Sequence, residues 1–296
     1  KLGSNPRKVL GIFRTGAEGG RIMPIDKGAD MEWLVPHGQT EDARDGELVE
    51  AEQTGPARMG LPRARIIARL GDPSAPKAVS LIAIHQHGIP DHFPDDVIAE
   101  ADAMAPAPIG RREDLRDLPL FTIDPWDARD HDDAVLASRD DDPKNPGGFV
   151  VWVAIADVAA HVLPGSELDR EARKRGNSTY FPDRVVPMLP DRLSGDLCSL
   201  HEDVDRAVIA VRMVLNAQGE KIAHRFVRAM MRSRASLSYE QAQAAFEGRL
   251  DDATGPLTDA LADLYAAWQA TLPARARRQP LDLDLPERQI ILSDEG

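Results

Sequence analysis

The chain has 296 residues, of which 42% are hydrophobic and 29% are charged, and its formal net charge is −13 at pH 7. This length suits a globular protein with one large or two modest domains. No apolar run approaches the roughly 20 residues that a helix needs to cross a bilayer, so we expect no membrane partner, and the acidic excess argues against strong non-specific binding to nucleic acid.

The first 78 residues predict a small β domain. Apolar or alternating runs at 9–13, 21–25, 33–36, 47–51 and 63–70 predict five short strands, with turn residues between them. Five strands of this spacing are typical of a small barrel such as the OB-fold. An SH3-like barrel would give a similar pattern.

Residues 79–115 predict a structured connector, in which prolines recur. Pro94 followed by Asp95 and Asp96 predicts a helix that reaches Met104, because proline fits the first turn and acidic residues favour the positive end of the helix dipole.

Residues 116–296 predict a mixed α/β domain. The predicted strands cover 118–123, 134–137, 149–156, 207–215 and 221–234. The predicted helices cover 167–175, ending at Gly176, then 239–246 after the cap Ser238, and 257–278 with an interruption at Pro273. The predicted fold class is therefore α+β, with a small five-stranded OB-type barrel before a mixed α/β domain.

Cys198 is the single cysteine, which rules out a disulfide within the chain and argues against a cysteine-based zinc site. Because it stands in an apolar segment, we expect a small buried side chain rather than a nucleophile. Low cysteine content is typical of a reducing cytoplasm, the location that we expect. The chain begins at Lys1 rather than Met, so we expect the native N-terminus to be missing.

The candidate metal-binding and catalytic residues form a cluster of aspartates. Asp124 ends a predicted strand, and Asp130, Asp132 and Asp133 follow within nine positions. Carboxylates repel one another at this density, and a hard divalent cation such as Mg²⁺ would offset the repulsion, because it prefers oxygen ligands. Metal ions held there could assist hydrolysis of a phosphodiester.

Two other interpretations of the cluster stay open at this point. It could be a solvated acidic loop or a turn rich in aspartate. It could also be a calcium loop, although the spacing does not fit an EF-hand. His131 lies inside the cluster, but we leave it out of the ligand set because the surrounding carboxylates suit a hard metal better than imidazole does.

Several motifs resemble the catalytic RNB domain of the ribonuclease II/R family. The resemblance covers most of residues 114–240 and is carried by DLRDLP (114–119), TID (122–124), DARDHDDAV (127–135), WVAIADV (152–158), LDREARKRG (168–176), STYFP (178–182), VPMLP (186–190) and LCSL (197–200). The preceding β domain then resembles the second of the two cold-shock domains in this family. Such domains bind single strands with stacking aromatics, but for Phe13 and Trp33 core positions are favoured.

The resemblance implies processive hydrolysis of single-stranded RNA from the 3′ end to nucleoside 5′-monophosphates. It implies Mg²⁺, with Mn²⁺ as a substitute, held by Asp124, Asp130, Asp132 and Asp133, which are also the expected catalytic residues. Loss of Asp132 is expected to abolish chemistry while RNA binding survives. Asp127 falls outside this set.

Tyr180 matches the family tyrosine that packs against the 3′-terminal nucleotide. The alternative interpretation of this residue is an ordinary half-buried tyrosine in a strand. Candidates for a basic RNA path are Arg170, Arg173, Lys174, Arg175, Arg184, Arg192, Arg225, Arg228, Arg232 and Arg234.

The family's catalytic domains continue beyond the position of Gly296, so we expect an incomplete domain here. A second chain or a missing C-terminal region would complete it. A non-catalytic RNA-binding relative, or an inactive fragment, is the alternative to an enzyme, although all four aspartates and Tyr180 are present. A hydrolase of small phosphoesters is disfavoured by the OB-like domain.

Overall fold

The computed structural model of the chain describes residues 8–17, 19–25, 31–54 and 60–281. These residues form two compact units: one contains the described residues up to His92 together with residues 177–186, and the other contains Phe93–Gly176 and residues 187–281. This division differs from the domain boundaries at residues 78 and 115, which stay predictions. The predicted domain ends at 1–7 and 282–296 lie outside the described residues.

The first unit is built around a curled, five-stranded antiparallel sheet, as predicted. Its strand order is β3-β2-β1-β4-β5, and its strands are β1 (Lys8–Gly16), β2 (Gly19–Pro24), β3 (Trp33–Pro36), β4 (Leu48–Gln53) and β5 (Ala64–Gly71). The two edge strands meet where the Leu34 amide donates to the Pro62 carbonyl at 2.8 Å, beside a bridge from Leu34 to Arg63. The sheet therefore closes into an OB-like half-barrel.

The inside of this half-barrel is filled by alternate residues of the strands. Phe13 and Trp33 are both buried there with Ile22 and Val35. Alternation is expected when only one face of a strand meets the core. Both aromatic residues are thus core residues, as favoured from the sequence, and neither offers an exposed ring for stacking.

A helix that the sequence interpretation missed covers the first unit. Helix α1 (Pro76–Gln86) lies partly inside the predicted connector, and its Ala78 packs against Leu10 and Leu48. His85 Nε2 accepts a hydrogen bond from the Leu10 amide at 3.1 Å. The weak helical periodicity of this segment is compensated by these contacts with the barrel, which a local pattern does not reveal.

The second unit contains a five-stranded sheet, a two-stranded parallel ladder and four α-helices among its described residues, besides shorter 3-10 and π-helical turns. In chain order its elements are α2 (Asp95–Asp102), β6 (Glu113–Asp114), β7 (Thr122–Asp124), β8 (Asp133–Arg139), β9 (Phe149–Ala156), α3 (Glu167–Arg175), β12 (Asp205–Leu215), β13 (Lys221–Arg232), β14 (Ser236–Ser238), α4 (Tyr239–Phe246) and α5 (Thr258–Arg277). The strands β10 (Thr179–Tyr180) and β11 (Val185–Val186) between α3 and β12 belong to the first unit. The predicted α+β class is confirmed.

The large sheet has the order β6-β13-β12-β9-β8. Its central row of Ala134, Ala154 and Ala210 lets the face approach neighbouring elements closely, and Leu168 of α3 is buried in the same core. On the opposite face, α5 packs against β8 and β9 and buries Ala267. The start of β8 is thereby held on a well-packed sheet.

Several predicted elements differ in extent: α2 ends at Asp102 instead of reaching Met104, and β13 ends at Arg232. Strand β7 begins only at Thr122, because Pro119 provides no amide and Leu118 and Leu120 form turns. Helix α5 continues through Pro273 to Arg277 instead of being interrupted there. In the described part of the chain, no helix combines the length and apolar character needed to cross a bilayer.

Candidate active site

Two strand ends place the first and the last aspartates of the cluster. Asp124 is the final residue of β7, where it pairs with Ser238 in the parallel ladder of β7 and β14. Asp133 is the first residue of β8 and pairs with Ile155 of β9. The Ala156 amide donates to the Asp132 carbonyl at 2.9 Å, which extends this register by one residue. The backbone of Asp124, Asp132 and Asp133 is therefore fixed by sheet hydrogen bonds.

The hydroxyl of Ser199 holds the loop between the two strands. Ser199 is fully buried. Its Oγ accepts from the His131 amide at 3.0 Å and donates to the Arg129 carbonyl at 3.3 Å. The Leu200 amide also donates to the His131 carbonyl at 2.8 Å. These three bonds fix the backbone on both sides of Asp130.

The aspartates are close enough to disturb one another's ionisation. The pKa of Asp132 is raised, first because burial disfavours its charge and then because of the negative charges of Asp130, Asp133 and Asp124. The pKa of Asp133 is raised by burial and then by Asp124. The four predicted residues therefore form one electrostatic cluster with an excess of negative charge.

His131 is a neighbour of the cluster with a partner inside it. Its Nδ1 lies 2.7 Å from Asp124 Oδ2, so the imidazole and the carboxylate share a hydrogen bond. Sequence reasoning left His131 out of the ligand set, and the structure gives it a contact that orients Asp124. Asp127 is exposed, but Asp132 and Asp133 are exposed as well, so exposure does not distinguish it from the predicted set.

The donor set is of the type that a hard divalent cation prefers, because it consists of carboxylates whose negative charges act on one another. In the described part of the chain, no three His, Cys, Asp or Glu side chains are already arranged to hold a metal ion. Carboxylates that repel one another turn apart, and Asp124 is turned towards His131. Rotation of side chains on this fixed backbone would be needed to bring the oxygens together.

Tyr180 lies on β10 in the first compact unit, while the aspartates lie in the second. Its relative exposure is 67%, so it is not the half-buried strand tyrosine of the alternative interpretation. Its contact with the 3′-terminal nucleotide stays a prediction.

Most of the predicted basic path is neutralised within the chain. Ion pairs join Arg170 to Glu167, Arg173 to Asp169, Lys174 and Arg175 to Glu171, Arg184 to Asp183, Arg192 to Asp196, Arg225 to Glu113 and Arg232 to Asp205. Arg175 is buried as well, with its guanidinium carbon 3.6 Å from the centroid of the Phe93 ring. Arg175 is therefore a structural residue, contrary to the prediction.

Cys198 is buried beside the site, as predicted. Burial, followed by the negative charge of Asp132, raises the pKa of its thiol to about 12. A thiol with this pKa is protonated at neutral pH and does not act as a nucleophile.

The comparisons with known proteins agree with this architecture. The RNB domain model matches residues 112–296, and the cold shock domain model matches residues 22–94. Ribonuclease R of Vibrio parahaemolyticus is 38% identical over 283 residues, which are 93% of this chain and 33% of that protein. Ribonuclease R of Escherichia coli is 37% identical over 296 residues, which are 97% of this chain and 36% of that protein. The chain thus spans about a third of the length of these relatives.

Two solved structures show the same fold. RNase R of Mycoplasma genitalium, in a complex with double-stranded RNA, gives a TM-score of 0.79 at 24% identity and covers 99% of this chain and 52% of that one. Yeast Ssd1, described as a pseudonuclease, gives a TM-score of 0.60 at 18% identity and covers 93% of this chain and 35% of that one. Because the RNB domain model matches more than half of the residues, the chain belongs to the RNB-domain family, with a cold shock domain in front of the RNB domain.

Proposed function

We propose that this chain carries the catalytic aspartates of an enzyme that degrades single-stranded RNA processively from the 3′ end to nucleoside 5′-monophosphates, in the cytoplasm. The observation that carries the proposal is the electrostatic cluster of Asp124, Asp130, Asp132 and Asp133 on a backbone fixed by strand ends and by Ser199. A solvated acidic loop would need no such restraint, because its charges would be free to move apart.

The proposed cofactor is Mg²⁺, with Mn²⁺ as a substitute, held by these four aspartates. When bound, the cation would neutralise charge on the phosphoryl oxygens and make water a better nucleophile. Strands β7 and β8 keep Asp124, Asp132 and Asp133 in place, and Ser199 does the same for Asp130. His131 keeps the Asp124 carboxylate oriented through the 2.7 Å hydrogen bond. Preorganisation of this kind reduces the motion that is needed when the substrate arrives.

Single-stranded RNA is the proposed partner, and Tyr180 is the proposed contact for its terminal nucleotide. Its exposed ring can stack on a base without regard to base identity. A C-terminal region or a second chain that completes the RNB domain is a further proposed partner. This proposal is supported by the coverage of the relatives, because the chain spans only about a third of their length.

A non-catalytic RNA-binding relative is the second candidate. It is favoured by the likeness to Ssd1, which shows that a pseudonuclease can keep this fold. The presence of all four aspartates favours the enzyme, because a pseudoenzyme commonly loses at least one of them.

The test is incubation of a 5′-labelled single-stranded RNA with the chain and Mg²⁺, beside Asp132→Asn and an EDTA control. Asp127→Asn is the matched control, because Asp127 is an exposed aspartate of the same loop. We expect a ladder of 5′-labelled products that needs both Mg²⁺ and Asp132 and that survives Asp127→Asn.

If the chain leaves the RNA intact, the same assay is run on a version extended beyond Gly296. Degradation by that version alone would place the requirement in the added residues. If the extended version binds the RNA but leaves it intact, the enzyme hypothesis is rejected in favour of the RNA-binding candidate.

A further inference from the structure

A second site lies in the unit that holds the aspartates, at the edge of the sheet where the segment 105–112 passes the end of β13. This segment, the turn after β9 and β13 enclose a partly open cavity of about 500 Å³. That volume lies in the range of pockets that take small ligands. The side chains that give the cavity its chemistry are Pro106, Pro108, Arg111, Arg112, His161 and Arg228.

The cavity is positively charged, in contrast to the chain as a whole. Arg111 and Arg228 are exposed and form no ion pair within the described ranges. Arg112 contacts the buried carboxylate of Asp157, with 2.7 Å between Nη2 and Oδ2, and its Nη1 is buried without a hydrogen-bond partner. Of the three arginines that line the cavity, only Arg112 therefore has a carboxylate partner among the described residues.

His161 adds a neutral polar group to the lining. It is 7% exposed, and burial, with the nearby arginines, lowers the pKa of its imidazole despite the opposing effect of Asp157. A neutral imidazole provides one donor and one acceptor, which suits a ligand that carries hydroxyl groups as well as negative charge.

The cavity is connected to the aspartate cluster by the geometry of the sheet. Arg228 pairs with Ile209, Ile209 with Ile155, and Ile155 with Asp133. Directly opposed residues of antiparallel strands point to the same face. Three interstrand spacings of about 4.8 Å therefore place Arg228 roughly 14 Å from Asp133 on one face of the sheet.

An exposed aromatic ring lies on β13, the strand that contributes Arg228 to the cavity. Phe226 is two residues before Arg228 on β13, so both side chains project from the same face. Phe226 exposes 67% of its surface, and its ring packs edge-on against His224. Cationic groups beside an exposed aromatic are the combination that proteins use to bind single-stranded nucleic acid.

We propose that this cavity binds a phosphate group of a ribonucleotide, through Arg111 and Arg228, with Phe226 stacking on the adjacent base. The phosphate could belong to an RNA strand or to a free nucleoside 5′-monophosphate. The cavity is separate from the aspartates. The inference rests on the proposed function only for the choice of RNA as the ligand.

The experiment measures binding in EDTA, so that hydrolysis does not contribute. A fluorescein-labelled oligoadenylate is titrated by fluorescence anisotropy, and AMP is titrated by calorimetry. The variants are Arg111→Gln with Arg228→Gln, Phe226→Ala, and the control Arg275→Gln, which removes an exposed arginine on α5 that forms no ion pair among the described residues. Circular dichroism confirms that each variant is folded, which is expected for exposed positions.

For an RNA strand, we expect the double variant to weaken oligoadenylate binding about tenfold. We also expect the slope of log affinity against log salt to fall by about 1.4, since each phosphate contact to a single strand contributes about 0.7. Phe226→Ala should weaken binding without changing that slope. For a free mononucleotide, AMP binding is lost in the double variant while oligoadenylate binding is unchanged.

The proposal is overturned if the double variant binds both ligands as the unmodified chain does, if Arg275→Gln has an equal effect, or if the unmodified chain binds neither ligand. Failure of the proposed function leaves these results unaffected, because an inactive chain still reports binding in EDTA.

Discussion

The buried hydroxyl of Ser199 accepts a hydrogen bond from the backbone amide of His131 at 3.0 Å, although the two residues are 68 positions apart. The same hydroxyl donates to the carbonyl of Arg129. Asp130 lies between these two contacts, so a residue with no chemical role of its own determines where a candidate ligand stands.

Replacement of this hydroxyl tests its role. Ser199→Ala should lower the free energy of unfolding by about 1–3 kcal/mol, because the His131 amide is left buried without a partner. It should also raise the Mg²⁺ concentration needed for half-maximal RNA hydrolysis. Urea unfolding and a Mg²⁺ titration measure the two effects.

Ser233→Ala is the matched control for stability. Ser233 is equally buried and donates to the Ala235 carbonyl at 2.9 Å, but it does not contact the loop that carries Asp130. An equal change in Mg²⁺ requirement for both variants would show that Ser199 acts only through stability.

Neutralisation of Asp132 should stabilise the metal-free chain. Its pKa is raised by burial and by three neighbouring carboxylates, so its ionised form is disfavoured in the folded state. This penalty is fully present above the raised pKa and disappears as the pH falls to the unfolded value near 3.8. Asp132→Asn should therefore raise the unfolding free energy at pH 7 in EDTA, by at most about 1 kcal/mol because water screens the exposed charges. A decrease in stability, measured by urea unfolding beside Asp127→Asn, would contradict this account of the cluster.

Asp251 should contribute to the acid sensitivity of the second unit. The Thr254 amide and the Gln241 side chain donate to its carboxylate and lower its pKa to about 2. The stabilisation is present above the unfolded value of 3.8 and is lost as the pH falls through about 2. Asp251→Asn should be less stable than the unmodified chain at pH 6, and the difference should shrink as the pH falls from 4 towards 2. Thermal unfolding across this range measures it, with Asp252→Asn as the control, and a difference that does not depend on pH would contradict the assignment.

Cys198 should be unreactive in the folded chain. It is 4% exposed, and its thiol has a pKa raised to about 12. An aromatic disulfide reagent at pH 8 should label it only after addition of urea, because thiolate and access are both required. Fast labelling without urea would show that the segment around Ser199 opens readily.

Local signals in the sequence were sufficient to predict those elements whose structure depends on residues that are neighbours in the chain. Helix α4 begins after Ser238, as predicted, because Ser238 and Gln241 form a reciprocal capping box within four residues. The strands of the half-barrel were found for a similar reason, since alternation along a strand is visible in the sequence.

Local signals failed where a distant contact decided the outcome. Helix α1 is stabilised by its contacts with Leu10 and Leu48, which lie far away in the chain. The ion pairs that neutralise Arg225 and Arg232 join residues far apart in sequence. A list of arginines therefore cannot distinguish a paired arginine from one such as Arg228, which forms no ion pair with the residues that the structure describes.

The sequence by itself determined the family, the OB-like domain and the four aspartates, because these depend on residue type and spacing within short segments. The tertiary structure alone revealed the buried hydroxyl of Ser199 behind Asp130, the hydrogen bond from His131 to Asp124, and the cavity at Arg228. Each of these arises where the fold brings separate segments together, and hydrogen bonds and burial act across space rather than along the chain.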